Sequence, residues 1–111
     1  MGLFRLYTGN DGLSHCEERT LTSHPALQEP HPTVHIQYRE LPAGAFMDWH
    51  PAPRRQYVIL LSGQLEIGFK DGSTKRLGPG DATLADDTTG SGHTTRVVGN
   101  GPALTAVVPL A

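Results

Sequence analysis

The chain has 111 residues, a formal net charge of −2 and one cysteine, which suits a single domain with one core. A near-neutral balance gives no electrostatic case for nucleic acid or an anionic membrane, and Cys16 alone excludes an internal disulfide or a Cys-pair metal site. No apolar run is long enough for a transmembrane helix, and Met1 to Arg5 lacks the basic-then-apolar order of a signal peptide, so a cytoplasmic location is expected.

The 13 Gly and 9 Pro argue for many tight turns, hence short strands rather than long helices. Leu3 to Thr8 alternates weakly and runs into Gly9-Asn10-Asp11-Gly12, a turn cluster. Residues 12 to 32 read as an irregular loop: Cys16-Glu17-Glu18-Arg19 could start one helical turn, but Pro25, Pro30 and Pro32 break anything longer. Thr33 to Leu41 alternates cleanly, with Val34, Ile36 and Tyr38 on one face and His35, Gln37 and Arg39 on the other. After the Pro42-Ala43-Gly44 turn, Phe46 to His50 is extended. Pro51 and Pro53 cannot donate to a ladder, so Pro51 to Arg54 should bend.

Gln56 to Leu61 is the next strand. Leu65 to Lys70 and Thr74 to Leu77 flank Asp71-Gly72, the strongest hairpin signal in the chain. Gly78-Pro79-Gly80-Asp81 turns into a short strand, Ala82 to Ala85, and Asp86 to Gly92 is a polar loop. His93 to Val98 and Ala103 to Val108 complete about nine short strands, an all-β sandwich or barrel in one domain over 1–111.

Two segments carry a resemblance. Gly44, five residues, His50-Pro51-Ala52, three residues, Gln56, six residues and Gly63 keep every spacing of the first cupin motif. That motif has a second His where this chain has Ala52, and a Glu where it has Gln56. The second motif opens with Pro79-Gly80-Asp81 and reaches His93 through a loop about two residues longer than the common form and without its Pro. The chain therefore resembles the cupin superfamily, in particular small single-domain bacterial cupins. The resemblance implies an all-β double-stranded β-helix, or jelly-roll, barrel.

The residues point to the same place. His50 ends one strand and Gln56 begins the next across a Pro bend, so both can face the barrel interior while Trp49 and Tyr57 point elsewhere. A polar pocket in a barrel mouth suits a small molecule. The resemblance implies that His50, Gln56 and His93 hold a divalent metal, with Fe, Mn, Ni or Zn all acceptable to two imidazoles and an amide oxygen. His50 and His93 are the candidate catalytic groups. Further substrate contacts are expected from His35, from Asp48, which shares parity with His50, and from Arg54 or Arg55 as a bidentate carboxylate clamp. Arg96 reads as structural, Asp86 to Thr89 as loop-holding, and His15, His24 and His31 as exposed.

Three functions stay open. One is a metal-dependent lyase, isomerase or dioxygenase acting on a small oxygenated molecule. Another is a metal-free acid–base enzyme using His50 and His93. The third is a binding module without catalysis. The expected partners are a small-molecule substrate and a second copy in a homodimer, with neither nucleic acid nor membrane.

Overall fold

The computed structural model describes residues 2–111. Ten strands run in chain order: β1 Leu3–Thr8, β2 Ser14–Arg19, β3 Gln37–Leu41, β4 Phe46–His50, β5 Gln56–Ser62, β6 Gln64–Gly68, β7 Thr74–Leu77, β8 Ala82–Asp86, β9 His93–Val98 and β10 Ala103–Pro109. They form a six-stranded sheet, β2-β1-β8-β5-β10-β3, and a four-stranded sheet, β4-β9-β6-β7. Only β1 and β8 pair in parallel. The core joins the inner faces: Phe4, Leu6, Leu60 and Ala103 from the larger sheet meet Leu65, Ile67, Leu77 and Val97 from the smaller.

Ser14–Arg19, expected as loop or helical turn, is a strand paired antiparallel with β1. The turn before it explains this. Gly9 N donates to Leu13 O at 2.9 Å, and Asp11 Oδ1 accepts from Leu13 N at 3.0 Å, closing a hairpin. The new strand lies at the sheet edge, so its charges face water and hide the alternation. Only Ser14 is buried, and Cys16 packs on the core. A 3₁₀ turn, Pro25–Gln28, is the only other regular piece among residues 20–32.

The third strand is shorter than its sequence pattern, beginning at Gln37, with Thr33 contributing one isolated bridge to Leu110. Val34, Ile36 and Tyr38 are 58%, 56% and 65% exposed, so the apolar row faces away from the core. Strand β3 ends the larger sheet, and of its residues Arg39 and Leu41 line the interior cavity.

Candidate functional site

Between the inner faces lies a cavity of about 240 Å³. Two of the inward faces that reach it change character along their length. On β9, His93 and Thr95 line the cavity and Val97 joins the core. Strand β5 contributes Gln56 and Val58 before Leu60 enters the core.

His50 arrives by an irregularity. Strand β4 pairs Met47 with Thr95 and His50 with His93, so three steps on β4 match two on β9. This bulge breaks the alternation and brings both Met47 and His50 to the cavity. Asp48, expected inward by parity, is turned out: it is exposed and does not line the cavity. Its backbone carbonyl instead anchors His50, whose Nδ1 lies 2.6 Å away. A carbonyl only accepts, so Nδ1 carries the proton and the neutral ring keeps its lone pair on Nε2.

His93 is held from the other side. Its Nδ1 lies 2.5 Å from Asp87 Oδ2, and the Ser14 hydroxyl donates to that same oxygen at 2.6 Å. Asp87 has no exposed surface, and its Oδ1 is buried with no partner. The carboxylate thus directs its side-chain bonding through one oxygen, toward the imidazole. Neither Nε2 has a partner among the described residues, and the two rings lie 4.8 Å apart, centroid to centroid. Gln56 completes the polar side of the cavity.

Backbone contacts lock the parts together. Ala52 N donates to Asp87 O at 2.9 Å, tying the bend after His50 to the loop before His93. Gly92 adopts φ of +76°, and a Cβ there would fall 1.9 Å from His50 O. Only glycine allows that close approach.

Two further substrate expectations need correction. His35 is exposed and precedes β3, outside the cavity lining, because the strand begins two residues later. Arg54 sits exposed in the bend, also outside the lining, and Arg55 pairs instead with Asp86 at 3.4 Å. The Pro-held turn carries both guanidiniums over the surface. His15 pairs with Asp11 at 3.0 Å, and neither His24 nor His31 lines the cavity. Sequence reasoning missed Asp87 as the anchor of His93, and missed Arg39 and Thr83 in the lining. For Arg39 a signal existed: the row His35, Gln37, Arg39 opposes the apolar row that turned out to face away.

No family model and no curated protein matches this chain. Solved structures do. A cupin domain from Bordetella pertussis Tohama I is 17% identical over 76% of this chain and 88% of its own, with a TM-score of 0.55. An uncharacterised conserved protein with a double-stranded β-helix domain from Klebsiella pneumoniae is 21% identical over 76% of this chain and 71% of its own, also at 0.55. A DMSP lyase from Ruegeria pomeroyi is 21% identical over 68% of this chain, at 0.54, but only 37% of that lyase is covered. The fold is a cupin-type double-stranded β-helix.

Proposed function

We propose that this barrel is a metal-dependent enzyme acting on a small oxygenated organic molecule, with His50, Gln56 and His93 holding the ion. One observation carries the reading: both imidazoles are fixed through Nδ1, to Asp48 O and to Asp87 Oδ2, leaving two Nε2 lone pairs beside one cavity. Metal-binding histidines are commonly oriented by such a bond on the other nitrogen. Among the described residues no three His, Cys, Asp or Glu side chains gather as a metal group; in this reading Gln56, which lines the same cavity, would supply the third donor. This donor set fits a divalent ion of the Fe, Mn, Ni or Zn type.

When bound, such an ion would polarise a carbonyl or carboxyl oxygen as a Lewis acid, and iron would add oxygen chemistry. The chain's own residues do the rest. Asp87 and Ser14 hold the His93 ring, and the bulge at β4 sets His50 against it. Leu6, Met47, Ile67 and Val107 keep the substrate's apolar part out of water. With only neutral side chains as direct donors, a bound ion would keep most of its charge, which would suit lyase or isomerase chemistry, with dioxygenation as the iron-dependent alternative. The exposed row Val34, Ile36 and Tyr38 beside the free edge of β3 supports a homodimer.

A second reading has its own support. A buried carboxylate on His93 Nδ1 would stabilise the ring when Nε2 takes a proton, which is what a metal-free general base needs. Metal analysis of protein purified without chelator or affinity tag, paired with proton exchange of small oxo acids in heavy water, separates the two. The metal reading expects about one ion per chain and exchange that stops after chelation. Exchange that survives chelation but stops in His93→Ala would instead establish the acid–base reading.

A further inference from the structure

Outside the histidines, the cavity lining carries one formal charge, and it is positive. Arg39 lies on β3 directly across from Thr105 of β10. Arg39, Leu41 and Thr105 line the cavity on the face opposite Tyr38, with Arg39 at its solvent-exposed side. Arg5, Arg19, Arg55 and Arg76 each pair with Asp or Glu, Arg96 lies over the Phe46 ring, and Arg54, which also has no carboxylate partner among the described residues, stands outside the cavity lining. Arg39 has no carboxylate partner among the described residues, and no carboxylate lines the cavity to neutralise it.

A second observation is independent of the first. Thr83 on β8 is 5% exposed and lines the cavity, and its hydroxyl oxygen has no hydrogen-bond partner. A buried hydroxyl without a partner is destabilising unless something supplies one. Arg39 and Thr83 stand on strands separated by β5 and β10. Three strand spacings amount to about 14 Å between the backbones, a gap that the long arginine side chain shortens.

We propose that the cavity binds a small aliphatic carboxylate bearing a second oxygen, with Arg39 clamping the carboxylate and Thr83 donating to that oxygen. The planar guanidinium fork matches a carboxylate bidentately. A phosphate dianion would bring a second negative charge against Leu41, Met47 and Val107, where Arg39 alone could not compensate it. At about 240 Å³ the cavity lies below the usual range for drug-sized ligands, so the molecule is small. The assignment rests on the proposed substrate cavity but does not require the metal.

The test is a nitrogen-15 NMR titration with 4-oxopentanoate, its primary amide and pentanoate, on chelator-treated and on zinc-loaded protein. The chelated protein should bind 4-oxopentanoate saturably, with shifts at Arg39, Thr83 and Thr105, and bind the amide at least tenfold more weakly. Arg39→Gln should weaken the acid at least tenfold and leave the amide unchanged, with Arg39→Lys recovering part of the loss. Thr83→Val should weaken 4-oxopentanoate but not pentanoate. Equal affinity for acid and amide, an unaffected Arg39→Gln, or no saturable shift in either form would overturn the proposal. Binding that needs zinc and ignores Arg39→Gln would also overturn it while sparing the metal reading. Arg39-dependent binding in a protein that takes up no zinc would uphold it and remove the metal reading.

Discussion

The two halves of this barrel are built from the same strands and behave as different materials. Along β10 the inward residues run Ala103, Thr105, Val107, and along β9 they run Val97, Thr95, His93, from packed core to cavity wall. At the packed end Leu60, Leu65, Val97 and Ala103 are almost wholly buried among apolar neighbours. At the cavity end threonines, histidines and Gln56 replace them, one hydroxyl is unpartnered, and a buried carboxylate leaves one oxygen unbonded. One end therefore holds the fold, and the other carries polar groups that the described residues leave partly unpartnered.

The packed end should show the largest stability effect when cut. Leu60→Ala removes a side chain that is 1% exposed and should cost about 2–5 kcal/mol in urea unfolding. The cavity resonances should stay where they are at low denaturant. Broad shifts at His50 and His93 would mean that the two ends are mechanically one.

Asp87→Ala sharpens the comparison from the other side. It strips the acceptor from both Ser14 and His93, for an expected loss of about 1.5–3 kcal/mol, eased because the unpartnered Oδ1 goes too. Metal affinity should fall roughly 10–100-fold as His93 loses its orientation. A stability loss without an affinity loss would make Asp87 a structural residue only.

The smallest effect belongs to the exposed β6–β7 turn, whose Asp71 lies outside both the packed core and the cavity lining. Asp71 accepts from Ser73 Oγ at 2.5 Å and Ser73 N at 2.8 Å, and these bonds hold its carboxyl below the ordinary range. A lowered folded-state pKa contributes stability above the ordinary carboxylate value and loses it as pH falls through the folded value. Asp71→Ala should thus lower the thermal midpoint slightly at pH 7, and the difference should shrink toward pH 2. A constant difference across that range would assign the effect to chain conformation instead.

Much of this was legible in the sequence, for identifiable reasons. Asp71-Gly72 and Gly78-Pro79-Gly80-Asp81 are local signals, and the strands beside them emerge close to where their residues put them. Edge strands were harder. In β2 the charges conceal the pairing, and beside β3 an apolar row faces outward, so alternation marks the strand without telling inside from outside. The spacing of His50, Gln56 and His93 was visible along the chain, but their anchors depend on a bulge and a loop. Asp48 shows this most plainly: two-residue parity placed its side chain inward, and one extra residue in β4 reversed it. Asp87 meets Ser14 across 73 positions of sequence, a contact that no local pattern announces.

The most direct measurement of the central claim is calorimetric titration of Zn²⁺, Mn²⁺, Ni²⁺ and anaerobic Fe²⁺ into the chain, His93→Ala and Ala52→His. Ala52 is buried, lines the cavity and stands where the cupin motif has its second histidine, so the added imidazole supplies a further donor. The account predicts about one ion per native chain, near-complete loss in His93→Ala, and affinity raised about tenfold or more, roughly 1.4 kcal/mol, in Ala52→His. A native chain that takes up none of the four ions at saturation would contradict it. So would affinity unchanged by Ala52→His when a structure shows the new ring aimed into the cavity.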